Sequence, residues 1–206
     1  MIIKDYYDFT DKKLDLIEKF YQIHLNATLN LTRIKDREDF YRKHVLDSFL
    51  LFTKHEKILQ GRVADIGTGG GFPGVILAIM YPELKFSLID SVAKKCKFLE
   101  DAVAELGLEN VEVITSRCEN IRNRKFETIL SRGVAKVDQM INFTIKLADK
   151  DCIWVLYKGQ QVRDELFDAK VSLINKKLEY INVRYETPIQ RTYTIINRSG
   201  DAGRLR

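Results

Sequence analysis

A glycine-rich segment between two apolar runs is the feature that most constrains the fold of this chain. Residues 63–66 are apolar apart from Asp65, residues 67–74 read Gly-Thr-Gly-Gly-Gly-Phe-Pro-Gly, and residues 75–80 are apolar again. The first run predicts a buried strand, and the second a helix whose first turn tolerates a proline without an N–H. Glycines let backbone approach a ligand closely, and a helix N-terminus has unpaired N–H groups. The pattern therefore predicts a strand, a ligand-binding loop and a helix.

The residues of this loop narrow the class of ligand. A phosphate-gripping loop carries a lysine, which is missing here, and Asp65 stands two residues before Gly67. A carboxylate there would repel a pyrophosphate but suits a ligand with a cationic or amino group. The order acid, apolar residue, Gly-x-Gly resembles motif I of the class I S-adenosylmethionine methyltransferases. A nicotinamide dinucleotide site and a tight glycine turn without a ligand are the alternatives.

A second acid lies at the end of the next predicted strand, residues 85–90. Asp90 is the last residue of this run. An acid at the carboxyl end of the second strand accepts hydrogen bonds from ribose hydroxyls. NAD and S-adenosylmethionine both contain a ribose, so Asp90 predicts a nucleoside cofactor without choosing between them. We expect Gly67, Gly69 and Asp90 to bind that cofactor.

Length and composition set broad limits. A chain of 206 residues that is 45% hydrophobic suits one domain with a sizeable core. Its apolar runs are too short to span a bilayer, and its N-terminus lacks the layout of a signal peptide, so we expect a cytoplasmic protein with no membrane contact. The three cysteines are scattered, which predicts reduced thiols and no metal site. The net charge of +5 indicates a mild preference for anionic partners.

Two helices are predicted before the glycine-rich loop. The first spans about residues 10–29 with Thr10 as its N-cap, and the second about residues 37–53. We expect residues 1–55 to be a helical extension packed on a methyltransferase-like domain at 56–198, with a flexible tail at 199–206.

The second helix contains His44, Asp47 and Ser48, residue types that also form hydrolase triads. Three neighbours on one helix surface point outward in parallel and cannot converge on a reacting atom. We expect instead that His44 and Asp47 form hydrogen bonds across the junction between the helix and the core. Contact with substrate is the alternative.

Two stretches beyond Asp90 supply further candidates. The helix predicted to end near Leu106 begins with Lys94, Lys95 and Lys97, which are either a solvated face or contacts for phosphates at the mouth of the site. After a third strand at 111–114, Cys118 is placed to lie against an adenine ring and Glu119 to accept from its exocyclic amine or from loop amides. An ordinary polar turn is the alternative.

The remaining strands define the substrate edge and the end of the sheet. Strands at 126–130 and 152–157 end near Arg132 and Lys158, and ligands of parallel sheets bind outside such carboxyl ends. These two residues are therefore candidates for positioning substrate. Runs at 178–185 and 191–197 predict a closing hairpin. Its arginines and those beyond it make this end basic, with RNA-contact candidates Arg184, Arg191 and Arg198.

Several of these elements occur together in one known family. Asn30-Leu31-Thr32, His44 to Ser48, the loop at 65–74 ending in Gly-Phe-Pro-Gly, residues 88–95 and Ser131-Arg132, in this order and spacing, resemble the RsmG (GidB) family. The resemblance implies an α/β fold of the class I S-adenosylmethionine-dependent methyltransferases: a Rossmann-like, seven-stranded, mostly parallel sheet with a C-terminal antiparallel hairpin and an N-terminal helical extension. It also implies cofactor contacts at Gly67, Phe72, Cys118, Glu119 and Arg132.

The activity implied by the resemblance is methylation of 16S rRNA. The target would be N7 of guanine 527 in the 530 loop, within the 30S subunit or an assembly intermediate, by a monomeric enzyme with S-adenosylmethionine as cofactor. Guanine N7 has an exposed lone pair and no proton to lose, so we expect positioning rather than a single catalytic residue. A non-catalytic rRNA-binding or assembly module and a nicotinamide oxidoreductase are the alternatives.

Overall fold

The structure, a computed structural model, describes residues 2–32, 34–159 and 161–199. Its centre is one seven-stranded sheet, and the strands in chain order are β1 (Arg62–Ile66), β2 (Lys85–Asp90), β3 (Val111–Thr115), β4 (Phe126–Arg132), β5 (Ala148–Lys158), β6 (Leu178–Tyr185) and β7 (Arg191–Arg198). The spatial order is β3-β2-β1-β4-β5-β7-β6, and β7 runs antiparallel to both of its neighbours. The predicted mostly parallel sheet with a closing hairpin is thereby confirmed.

Seven α-helices are described, and their bounds are α1 (Asp11–Asn26), α2 (Arg37–Phe40), α3 (Asp47–Phe49), α4 (Gly74–Met80), α5 (Ala93–Leu106), α6 (Val137–Thr144) and α7 (Val162–Asn175). The Thr10 side chain accepts a hydrogen bond from the Lys13 N–H, so the predicted N-cap is confirmed. The predicted helix at 37–53 is helical throughout but irregular. A π-helical stretch, Tyr41–Leu46, joins α2 to α3, and a 3-10 turn, Leu50–Thr53, follows.

Helices cover both faces of the sheet. Ile17 of α1 and Phe49 of α3 share one apolar core with Val75 of α4 and Leu99 of α5. Helices α6 and α7 pack on the opposite face. Successive residues of β5 point alternately to the two cores, as the period of a strand requires, with Ile153, Val155 and Tyr157 on the first face and Cys152, Trp154 and Leu156 on the second.

The N-terminal helices are thus part of the core on one face, while the division of the chain at residue 55 stays a prediction. The predicted tail lies outside the described residues from position 200 onward. In the part of the chain that the structure describes, no helix has both the length and the apolar character needed to cross a bilayer.

Candidate functional site

The glycine-rich loop joins β1 to α4 through backbone conformations that favour glycine. Gly67, Gly69 and Gly71 have φ values of +68°, +59° and +94°. A Cβ atom on Gly67 would lie 2.4 Å from a methyl group of Val134, and one on Gly71 would lie 2.8 Å from a methyl group of Val75. At Gly69 the nearest atom would be 3.8 Å away. Two of these glycines therefore allow close packing, whereas Gly69 faces open space at the end of β1.

Asp90 holds the loop from the neighbouring strand. The Gly69 N–H donates to Asp90 Oδ2 at 3.1 Å, and the Val92 N–H donates to Oδ1 at 2.9 Å. Lys95 Nζ lies 3.9 Å from the same carboxylate. An ionised carboxylate has about four acceptor positions, so Asp90 retains capacity for two hydroxyl donors after these backbone bonds. Its position at the carboxyl end of β2 fits the ribose of a nucleoside cofactor.

Asp65 lies beneath the loop. Its Oδ2 accepts from the Thr68 hydroxyl at 2.8 Å and from the Gly74 N–H at 2.9 Å, while Oδ1 is buried without a hydrogen-bond partner among the described residues. Burial raises the pKa of Asp65 to about 6, against the lowering effect of these hydrogen bonds. An orphaned buried acceptor beneath a glycine cradle is consistent with a ligand that carries an amino group.

Phe72 connects the loop to the N-terminal helices. It is 4% exposed, stacks on His44 with ring centroids 4.4 Å apart, and lies under the guanidinium of Arg132 at 5.3 Å. His24 packs against Phe72 and donates from Nε2 to the Gly70 carbonyl at 2.9 Å. The Phe72 side chain therefore packs against the N-terminal helical segments and Arg132.

Asp47 joins the second helical segment to two strands. It is 1% exposed and accepts from Arg132 at 3.0 Å and from Arg191 at 2.6 and 2.7 Å. The Tyr193 hydroxyl also donates to the Asp47 carbonyl. The predicted hydrogen bonds across the junction are confirmed. The expectation that Asp47 and Ser48 point outward was wrong, because both side chains are buried against the sheet.

The hydrogen bonds of His44 define its neutral state. Arg132 has only donors, so the 3.2 Å contact from its Nη2 makes His44 Nδ1 an acceptor. Nε2 then carries the proton and donates to the Thr32 hydroxyl at 2.6 Å. Burial, followed by the charge of Arg132, lowers the pKa of His44 to about 3. This histidine remains uncharged at neutral pH and fixes the orientation of Arg132.

Lys158 lies at the predicted end of the sheet, but its ammonium group is held by α7 and by the segment after β4. It is 9% exposed and donates to Glu165 at 2.6 Å and to the Ala135 carbonyl at 2.7 Å. Glu165 also accepts from the Val137 N–H at the start of α6. The lysine thus anchors the segment after β4, so any effect on substrate would be indirect.

The segment after β3 brings Cys118 close to the ends of β1 and β2. Cys118 is 7% exposed, packs in the same core as Ile66 and Ile89, and donates to Glu119 at 3.2 Å. Burial and the neighbouring carboxylate raise the pKa of the thiol to about 12. Glu119 itself is exposed. All three cysteines are free and buried.

The basic candidates occupy different places. Lys94, Lys95 and Lys97 lie at the start of α5 beside Asp90, where Lys97 pairs with Asp101 at 2.7 Å. Arg184 pairs with Thr192 on β7, and Thr192 pairs with the carboxyl end of β5. Arg184 therefore lies at the same end of the sheet as the glycine-rich loop. Arg198 lies at the opposite edge and donates to the Lys150 carbonyl. Arg191 is bound to Asp47, so its guanidinium is not free.

Strand order, the loop after β1 and the acid after β2 together define the class I S-adenosylmethionine-dependent methyltransferase fold. Of the solved structures, a mutant of MtNAS in complex with S-adenosylmethionine aligns with a TM-score of 0.62 at 15% identity, covering 89% of this chain and 72% of that one. S-adenosylmethionine is the cofactor of this fold class.

The family model described as rRNA small subunit methyltransferase G matches residues 13–193, and the chain belongs to that family. The protein named "Ribosomal RNA small subunit methyltransferase G" from Mycoplasma capricolum is 34% identical over 97% of this chain and 91% of its own length. Its namesake from Mesoplasma florum is 37% identical over 84% of this chain and 80% of its own length. The predicted family resemblance is confirmed, and the nicotinamide alternative loses its support.

Proposed function

We propose that this protein transfers the methyl group of S-adenosylmethionine to N7 of a guanine in 16S rRNA, guanine 527 of the 530 loop. The observation that carries the proposal is the cradle formed by Gly69, Asp65 and Asp90, with Arg132 fixed beside it. It occurs in a chain whose family is described as an rRNA small subunit methyltransferase. The substrate is the 30S subunit or an assembly intermediate.

The ribose and the adenine of the cofactor each have complementary groups at this site. Asp90 accepts from the ribose hydroxyls through its remaining acceptor positions. Gly69, where the nearest atom to an added Cβ would be 3.8 Å away, allows close approach of the ligand, and Gly67 and Phe72 contribute backbone contacts. The set is completed on the adenine side by Cys118 as an apolar contact and Glu119 as an acceptor for the exocyclic amine.

The chain has to position the reactants rather than move a proton. The cofactor supplies a methyl group on a sulfonium, and guanine N7 attacks it with a lone pair that bears no hydrogen. In-line placement and preorganised electrostatics account for such a rate enhancement, and effects of orientation reach about 7 to 11 kcal/mol in well-aligned systems. No side chain is assigned as a general base.

Arg132 is a positioning residue in this scheme. Its guanidinium is held by Asp47, by His44 and by the Lys43 carbonyl at 3.4 Å. A bidentate grip on guanine O6 and N7, common in nucleic-acid recognition, would occupy the attacking lone pair. Arg132 therefore contacts the cofactor, O6 alone or a phosphate.

Calorimetry with S-adenosylmethionine and NADH tests the cofactor assignment. Wild-type protein is expected to bind only S-adenosylmethionine. Asp90→Ala is expected to weaken binding by about 1.5 to 3 kcal/mol, because it removes acceptors that are charged. Gly69→Val is expected to abolish binding by filling the open side of the loop. Asp101→Ala, an exposed acid of α5, is the matched control. Unchanged affinity in folded Asp90→Ala and Gly69→Val proteins would refute the assignment.

A non-catalytic rRNA-binding module with the same fold is the second candidate, because the cradle binds and does not itself react. Transfer of a labelled methyl group to 30S particles from a strain without the endogenous enzyme separates the two. Incorporation supports the methyltransferase. RNA binding and cofactor binding without incorporation would support the module.

A further inference from the structure

Helix α7 and the edge strand β6 enclose an open groove that the proposed methyl-transfer site does not use. Its volume is about 880 Å³. Leu166 and Leu173 of α7 form its floor, and the rings of Phe167 and Tyr180 stand at its walls, 81% and 42% exposed. Large apolar side chains exposed together at one place mark a binding surface more often than isolated ones do.

The rim of the groove is basic. Arg163 and Lys170 of α7 and Arg184 of β6 line it, against one acidic residue, Glu179. The acids of α7 that form ion pairs, Glu165 and Asp168, are paired with Lys158 and Lys136, which do not line the groove. Arg184 pairs with Glu186 at the exposed end of β6. The groove therefore combines two exposed rings with an excess of positive charge.

We propose that this groove binds a single-stranded segment of the RNA substrate, with bases stacked on Phe167 and Tyr180 and phosphates near Arg163, Lys170 and Arg184. Proteins that bind single strands pair aromatic platforms with a basic groove in this way. The charge selects an anionic occupant, and the two rings select one that presents flat apolar faces. The inference rests on the proposed function, since it concerns the same substrate.

The position of the groove makes it a site for flanking RNA and not for the target guanine. Arg184 lies at the end of the sheet that carries the glycine-rich loop, because its partner Thr192 pairs with Lys158 at the carboxyl end of β5. Four strand spacings separate β1 from β6, which is about 19 Å. RNA held in the groove is therefore on the same side of the molecule as the cradle, but beyond reach of the methyl group.

Two pairs of substitutions and one control test this surface. Anisotropy measurements use a labelled fragment of small-subunit rRNA that contains the 530 loop, over a series of salt concentrations. The Phe167→Ala/Tyr180→Ala variant is expected to weaken binding by about thirtyfold or more with an unchanged salt slope, because it removes two stacking platforms and stacking on each contributes about 1 to 3 kcal/mol. The Arg163→Gln/Lys170→Gln variant is expected to lower the slope by about 1.4. Val171→Ala, an exposed apolar change outside the groove lining, is expected to bind like wild type.

The outcomes separate this inference from the proposed function. Unchanged affinity and slope in both double variants, while the wild type methylates 30S particles, would overturn the groove and leave the proposed function standing. A wild-type protein that neither binds rRNA nor methylates it would overturn both. Phe167→Ala/Tyr180→Ala protein that loses a dimer seen for the wild type by sedimentation, with RNA binding unchanged, would assign the groove to a second copy and overturn the inference. Calorimetry with S-adenosylmethionine checks that each variant keeps the cradle.

Discussion

His44 and Asp65 are two titratable groups at the site whose pKa values are shifted in opposite directions. His44 has a pKa lowered to about 3 by burial and then by Arg132, so it stays neutral from acidic to alkaline pH. Burial raises the pKa of Asp65 to about 6, so its charge changes at the lower end of the useful range. A change in the methyl-transfer rate near pH 6 would come from titration of Asp65 beneath the loop. His44 would contribute no change in rate in this range.

Single-turnover methyl transfer tests these assignments. The rate within the enzyme–substrate complex is expected to be flat from roughly pH 7 to 9, because N7 attack requires no deprotonated side chain. His44→Asn is expected to lower the rate at every pH without removing a limb, since it loosens Arg132. Asp65→Asn is expected to remove any limb near pH 6. A limb that disappears in the His44 variant instead would show that this histidine transfers a proton.

Some site residues were predictable from the sequence and others were not. Asp90 ends a predicted strand, and the carboxyl end of a strand is where a ligand contact is expected, so its position in the structure matches the prediction. The role of Asp47 in binding two guanidinium groups depends on Arg132 and Arg191, which are remote in the sequence. Spacing within one helix predicts that a residue faces the core, but it does not identify the partner.

The helical segment from α2 through the 3-10 turn is held to the sheet by a buried carboxylate. Asp47 binds Arg132 at the end of β4 and Arg191 at the start of β7, while Tyr157 donates to the Ser48 carbonyl. These contacts fix three strand ends to one element. Removal of the carboxylate would leave two guanidinium groups partly buried without their anion, which is far more costly than the loss of an exposed pair.

Asp47→Ala is therefore expected to lower the free energy of unfolding by about 3 to 5 kcal/mol. Asp39→Ala is the matched control, because Asp39 pairs with Arg42 and Lys43 on the outer face of the same segment, where solvent screens the charges and loss of the pairs costs little. Urea denaturation of both variants measures the difference. Equal losses for the two would show that Asp47 does not anchor the segment.

The sequence predicted the boundaries of an element well where its apolar pattern is clear, and less well where polar residues interrupt that pattern. The predicted strand at 85–90, with Phe86, Leu88 and Ile89 before Asp90, matches β2 in full. Strand β5 begins at Ala148, earlier than predicted, because the polar residues at 149–151, where the pairing with β4 is irregular, interrupt the apolar pattern. The π-helical stretch was also not predictable, since a changed hydrogen-bond register leaves the spacing of apolar residues almost intact.

For the whole molecule, the glycine-rich loop and the second acid predicted a nucleoside cofactor, whereas the seven-stranded sheet and the choice of S-adenosylmethionine followed from the family resemblance. Which face of the sheet each helix covers was not predictable, because the strands are buried on both sides and their apolar runs carry no alternation. The contact of His24 with Gly70 shows the consequence. The N-terminal helices support the loop directly, so an account of the site has to include them.

The most direct test of the account is to map the methyl group. Purified protein, labelled S-adenosylmethionine and 30S particles from a strain without the endogenous enzyme are incubated, and the modified nucleotide is located in 16S rRNA by mass spectrometry and by cleavage at N7-methylguanine. We expect one labelled guanine, guanine 527 in the 530 loop, and loss of the label with Asp90→Ala. Label at another base or at another atom of guanine, or no transfer by a protein that binds both substrates, would contradict it.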